Sequence, residues 1–185
     1  MEFRIVPAEK AEALRTLFIQ KFIDITSDHY KKHIATLLPY PDGLFYNGYL
    51  WECLKDNNNN QKECSMEFAA EFLKTKKTIF VMWDLFSKER VKDNKRFSLQ
   101  YPQSTIISIQ GSLLGRKIVT EWNKEQDAWA MNCECQDLWL PEDIYCFDEN
   151  MNWYAIFTHE GWDHWTNPEL DENAYIRICF LNIQT

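Results

Sequence analysis

Glycine and proline are scarce in this chain, 5 and 6 of its 185 residues, which leaves no room for a low-complexity tract or a long disordered linker. No stretch comes near the eighteen or so consecutive apolar residues that a membrane-spanning helix needs. Glycine-rich phosphate loops, dinucleotide fingerprints and the G-x-S-x-G elbow are all missing, so no nucleotide cofactor or serine-hydrolase chemistry is expected. The opening "MEFRIVPAEK" carries Glu2, Arg4, Glu9 and Lys10 and lacks the apolar core of a secretory signal. Together these absences predict a soluble cytoplasmic protein, in which the six cysteines remain thiols.

Positive charge is also short. Twenty basic side chains face 28 acidic ones, a net charge of −8. Nucleic-acid binding rests on Lys and Arg neutralising phosphates, and anionic membranes ask for the same charge, so neither partner is expected. A basic protein, by contrast, would be steered toward such a surface.

Aromatic residues are plentiful, with 8 Trp, 8 Tyr and 12 Phe. They bury much area per side chain and supply a core or an interface well. A chain of this length is read as one domain, residues 1–185, able to fold without a disulfide or zinc staple.

Ala11, Leu14, Phe18, Phe22 and Ile25 recur at steps of three or four and predict a helix over 7–25, with Pro7 at its first position. A second short helix is expected to start at Thr26, Ser27 or Asp28 and to end before Pro39. "LPYPDG" reads as a turn and "DNNNNQKE" at 56–63 as an exposed loop. Met66, Ala69, Ala70 and Leu73 predict another helix, and "TIFVMW" at 78–83 a strand buried on both faces. Leu114, Ile118 and Trp122 predict a helix over 112–123, although Gly115 weakens it.

From there the period changes to two. Trp129 to Cys135 alternates as a half-buried strand, 144–147 and 153–160 form a hairpin around "DENMN", and "AYIRICFLN" at 174–182 is a strand. The expected class is α+β, N-terminal helices packed on a largely antiparallel sheet formed mainly by the second half.

"THEGWDHW" at 158–165 resembles a zincin H-E-x-x-H with one residue too many. Helix positions five apart diverge by about 140°, so that reading fails on geometry. A looser metal site from His159, Asp163 and His164 remains as an alternative to a hydrogen-bonded rim histidine. In the strand reading Trp153, Ala155, Phe157 and His159 share one face, expected to be the core face, and Glu160 lies on the other. Arg177, the only charge inside the last strand, calls for a carboxylate, which Glu160 or Asp148 could supply, Glu160 being the expected structural partner. Cys133, Cys135, Cys146 and Cys179 lack the C-x2-C spacing of a zinc knuckle and read as core thiols.

Two short motifs and a strand resemble a bacterial family of unknown function found in Bacillus and related Firmicutes. They are Gly48-Tyr49-Leu50-Trp51, the strand "KTIFVMW" at 77–83, and a D-x-Y-x-x-D-x4-W-x4-T-H-E pattern at Asp143, Tyr145, Asp148, Trp153, Thr158, His159 and Glu160. The likeness spans about 48–160. It departs in the tail after Glu160 and in a charged segment at 87–96. It implies a fold more than an activity; small acidic α+β proteins of this sort are similar, at the level of class, to immunity proteins that neutralise toxins.

The sequence therefore supports a non-enzymatic protein that binds a basic protein partner. Contacts are expected from the aromatic and acidic loop at Trp162, Asp163, Trp165, Glu169, Asp171 and Glu172. The alternative is a small hydrolase using Asp148, His159 and Glu160, with or without a divalent metal.

Overall fold

A computed structural model of the chain describes residues 3–40, 43–55, 61–64, 66–85, 101–116, 140, 143–158 and 176–180. Helix α1 (Ala8–Phe22) follows the apolar spacing, burying Ala11, Leu14, Phe18 and Phe22. Pro7 stands one position ahead of the expected site, as the N-cap, and its carbonyl accepts the Ala11 N–H at 2.9 Å. Its fixed φ suits a chain turning into a helix, and the N–H it lacks has no intrahelical partner there anyway. The helix stops where Ile23 turns extended and bridges Leu54, with Asp24 N–H donating to the Cys53 carbonyl at 2.7 Å. Ser27 caps the next turn, its Oγ accepting from the Tyr30 N–H at 3.1 Å. Residues Tyr30–Ile34 wind as a π-helical turn.

Within "LPYPDG", expected as a turn, Leu38–Tyr40 form β2 and pair antiparallel with β3 (Gly43–Phe45), while Pro41 and Asp42 lie outside the described residues. In the aromatic stretch after it, Leu50–Cys53 make a 3-10 turn. The main sheet has seven described strands, all paired antiparallel, in the order β1 (Phe3–Ile5), β6 (Ile107–Ile109), β5 (Ile79–Met82), β7 (Ile144–Phe147), β8 (Trp153–Phe157), β9 (Ile176–Phe180) and β4 (Gln61–Glu63). The class is α+β, with helices mostly N-terminal and four of these seven strands drawn from the second half.

Gln61–Glu63 corrects one expectation. Rather than continuing the loop, it pairs with β9 as an edge strand. An edge strand needs ladder partners on one side only and tolerates polar residues that a central strand would not.

The second correction concerns the faces of β8. One core face was expected, but both are buried. Trp153, Ala155 and Phe157 join Ile79, Val81, Ile144 and Cys146 beneath α2 (Met66–Lys74) and the helical residues 111–116. Tyr154 and Ile156 join Phe80, Met82, Tyr145 and Phe147 beneath α1 and the two short turns. Strict alternation thus feeds two apolar clusters through one sheet, giving three layers. Register aligns Ile144, Phe157 and Ile176 across β7, β8 and β9, so the chain before β7, after β8 and before β9 meets the sheet at one end.

At the other end, Lys10 pairs with Glu149, and Lys21 Nζ donates to the Asn150 carbonyl at 2.9 Å, tying α1 to the β7–β8 turn. Asp148 closes that turn: its two carboxylate oxygens accept from Asn152 N–H at 2.7 Å and Asn152 Nδ2 at 2.8 Å. Met151 completes the turn at φ 54°.

Gly115, which weakened the expected helix, is there for packing. A Cβ on it would lie 2.5 Å from the Ala70 carbonyl oxygen, and one on Gly111 would lie 2.1 Å from that of Leu73. The two glycines let residues 111–116 sit directly on the backbone of α2. Gly111→Ala is expected to lower the urea midpoint, a loss of about 1–3 kcal/mol from overpacking. The same change at exposed Ser112 should stay within about 0.5 kcal/mol. No helix among the described residues is long and apolar enough to cross a membrane.

Candidate functional site

Among the described residues three charged side chains are buried, Asp84, Asp143 and Arg15. Asp84 lies two residues past the end of β5 and is 2% exposed. Its Oδ2 accepts the Tyr145 hydroxyl at 2.7 Å and its Oδ1 accepts the Leu50 N–H at 3.1 Å. The Tyr145 oxygen in turn accepts the Trp51 N–H at 3.1 Å. Trp51 then reaches out of the network, its indole N–H donating to Asp143 Oδ1 at 3.1 Å. Tyr49 stacks on the Trp51 ring at 5.4 Å, and its own N–H is taken by Glu52 Oε2 at 2.9 Å.

Trp51 belongs to the Gly48–Trp51 motif, and Asp143 and Tyr145 open the second, some 92 residues later. Folding brings the two motifs into one hydrogen-bonded cluster. Its role follows from its donors and acceptors: it fastens the 3-10 turn to the sheet, satisfying polar groups that the core would otherwise strand.

Burial dominates the electrostatics here. It pushes the Asp84 carboxyl up to about 7, with Asp143 adding repulsion, against the lowering effect of the Tyr145 hydrogen bond. Tyr145 is raised well above its ordinary range by burial, and the Asp84 and Asp143 charges push the same way. Tyr145 therefore remains a neutral donor at physiological pH. Asp84 is the group in this core that changes charge near neutrality. Both of its oxygens already serve protein donors, so this is an anchoring network with a titratable centre.

Arg15 is the buried cation among the described residues, 7% exposed in the apolar stripe of α1, with Nη1 donating to the Trp83 carbonyl at 2.9 Å. Neither Asp84 nor Arg15 stood out in the sequence. Each carried a signal all the same. Asp84 ends an apolar run that is buried on both faces, and Arg15 is the lone charge on a helical face otherwise made of Ala, Leu and Phe.

A third cluster lies at the surface, where His29 Nε2 approaches Glu52 Oε2 at 3.0 Å and the His29 and His33 rings are 4.6 Å apart. Among the described residues, no group of three or more His, Cys, Asp or Glu is arranged to hold a metal ion.

The structure brings only part of the sequence-derived site into view. Asp148, a catalytic residue in the hydrolase alternative, spends both oxygens on Asn152. His159, Glu160, Trp162, Asp163, His164, Trp165, Glu169, Asp171 and Glu172 lie outside the described residues, as do Cys133 and Cys135. The Glu160–Arg177 pair is therefore described on one side only: Arg177 stands opposite Ile156 on β8 and Glu63 on β4. Cys146 is a buried free thiol whose pKa burial drives far up, and half-buried Cys64 is pushed up to about 11 by the same cause, so both are poor nucleophiles.

Compared with protein-family models, curated proteins and solved structures, the chain matches none.

Proposed function

We propose that this protein binds a basic protein partner through its acid-rich segments, residues 119–142 and 158–175, as immunity proteins neutralise toxins. The observation that carries the reading is the segregation of charge. Residues 119–173 contain 14 of the 28 acidic side chains and a single basic one, Lys124. That stretch has a net charge of −13, and the rest of the chain is +5. Such asymmetry creates a directional field that raises encounter rates with a cation-rich surface.

Most of these acids flank the β7–β8 hairpin. Six acids and Lys124 lie in 119–142, and five acids with no Lys or Arg lie in 158–175. Both stretches join the sheet at its Ile144–Phe157–Ile176 end. Glu149, at the opposite end, is paired with Lys10. Contacts come from Trp162, Asp163, Trp165, Glu169, Asp171 and Glu172, the acids steering and the tryptophans anchoring.

The test is capture on the immobilised full chain from the native cell's lysate at low and moderate salt. One basic protein, recovered stoichiometrically and weakened by salt, is the expected result. Asp163→Lys, Glu169→Lys and Asp171→Lys together should then slow its association about tenfold and flatten the salt dependence. No specific partner at either salt, or an association rate indifferent to the three reversals, rejects the reading.

A further inference from the structure

Two of the chain's four histidines, His29 and His33, stand one helical turn apart where the chain enters the Tyr30–Ile34 turn. Their ring centres are 4.6 Å apart. Imidazoles that share one metal ion through bonds of about 2.0–2.1 Å have ring centres about 4.5–5 Å apart. Glu52, from the Leu50–Cys53 turn, brings Oε2 to 3.0 Å from His29 Nε2. That nitrogen is shielded from solvent, yet it makes no aligned hydrogen bond with any described group, Glu52 included. A nitrogen and an oxygen so placed have the spacing of neighbouring ligands on one ion, about 3 Å.

Gly48 permits this approach. A Cβ there would lie 3.0 Å from both His29 Nε2 and His33 Cβ, and 3.4 Å from Glu52 Oε2. The Asn47 N–H donates to the His33 carbonyl at 2.8 Å and holds the two segments together. Existing contacts leave the ligand atoms usable. Glu52 Oε2 accepts the Tyr49 N–H at 2.9 Å and keeps a second lone pair. Asn47 Nδ2 lies 3.5 Å from His33 Nδ1, which leaves His33 Nε2. The His29 and Glu52 side chains are 38% and 32% exposed, so an ion reaches them from solvent. Three ligands do not stand preassembled among the described residues. Two do, and His33 completes the set by turning its ring.

We propose that His29, His33 and Glu52 bind a divalent transition-metal ion of the zinc type. Two imidazoles and one carboxylate suit zinc and leave a position for water. Magnesium asks for oxygen ligands and is refused. The bound ion clamps the Tyr30–Ile34 turn to the 3-10 turn that carries Trp51. This site is independent of the partner-binding reading.

Zinc itself is the probe. The full-length protein, labelled with 15N, stripped by chelator and kept reduced, is titrated with zinc chloride and separately with magnesium chloride. The ring resonances of His29 and His33, assigned through the backbone, should move saturably with zinc and not with magnesium. His33→Ala should weaken zinc binding at least tenfold, read from the backbone amides of Tyr49 to Cys53. Glu52→Gln keeps an acceptor for the Tyr49 N–H but loses the charge, and should weaken it about tenfold. Zinc that moves only His159, His164 or amides beside the cysteines, or magnesium that acts as zinc does, overturns the proposal. The titration of the unmodified protein decides the matter even if a variant fails to fold.

Discussion

Asp84→Asn should abolish a fall in stability that the unmodified protein shows between about pH 5 and pH 7. The sign follows from the direction of the shift. Burial holds the folded-state pKa of Asp84 at about 7, above the 3.8 of a free aspartate. Between those values the folded protein keeps a proton that the unfolded chain has released. Unfolding then releases a proton and is favoured as pH rises, at about 1.4 kcal/mol per pH unit for one group. From pH 5 to 7 the expected loss is about 2 kcal/mol, and it levels off once Asp84 is ionised in both states.

Asparagine keeps an acceptor for the Leu50 N–H and cannot ionise. Titrations of other groups are common to both proteins, so the difference between their urea midpoints at pH 5, 6, 7 and 8 isolates Asp84. Tyr145→Phe provides an internal check. It removes the hydroxyl that donates to Asp84 Oδ2, and that hydrogen bond lowers the Asp84 pKa. The steep part of the curve should therefore move to higher pH. Parallel curves for the unmodified protein and Asp84→Asn would show that Asp84 does not titrate in this window.

Phe18→Ala should cost about 3–5 kcal/mol, the range for deleting a fully buried aromatic. Phe18 has no exposed surface and stands where α1 meets the sheet. Its ring centroid is 5.0 Å from Phe22, 5.3 Å from Phe147 and 5.6 Å from Tyr145. Phe22 and Phe147 come from different layers, and Tyr145 belongs to the anchoring network, so truncation opens a cavity that no single element can close. For a chain of this size Tm should fall by on the order of 10 °C. Phe18→Leu, which leaves less void, should lose under half as much free energy. Equal losses in the two variants would mean that filling this space is not what Phe18 contributes. A marginal domain has about 5–15 kcal/mol in all, so Phe18→Ala should still fold at low temperature.

The sequence carried the local elements because each rests on interactions a few residues apart. Ala11, Leu14, Phe18 and Phe22 recur at the helical period, and Ala69, Ala70 and Leu73 do the same in α2. Ile79–Met82 reads as a fully buried strand because every residue in it is apolar, and so it is. The turn between β7 and β8 is spelled out by Asp148 and Asn152, which bond each other. Composition likewise established the acidic balance, and the order of helices and strands established the class.

What the period could not convey was anything settled across the sheet. The two faces of β8 look unequal in sequence, since one ends in His159 and the other in Thr158 and Glu160. Both are buried because α1 and α2 happen to cover opposite sides. Gln61–Glu63 has no strand signature of its own and becomes one because β9 offers a free edge. Gly111 and Gly115 are breakers by propensity, yet they permit the close approach that seats their helix on α2. The anchoring network lay beyond sequence reading for the same reason. Asp84, Trp51, Tyr145 and Asp143 become partners only when residues 61 and 92 positions apart are brought together, and the energy that pairs them is the desolvation of groups with nowhere else to bond. Local sequence determined most of the elements that form, β4 being the exception made by the edge of β9. Burial across layers decided which side chains meet, and with them the three buried charges among the described residues, Asp84, Asp143 and Arg15, on which the chemistry of this core turns.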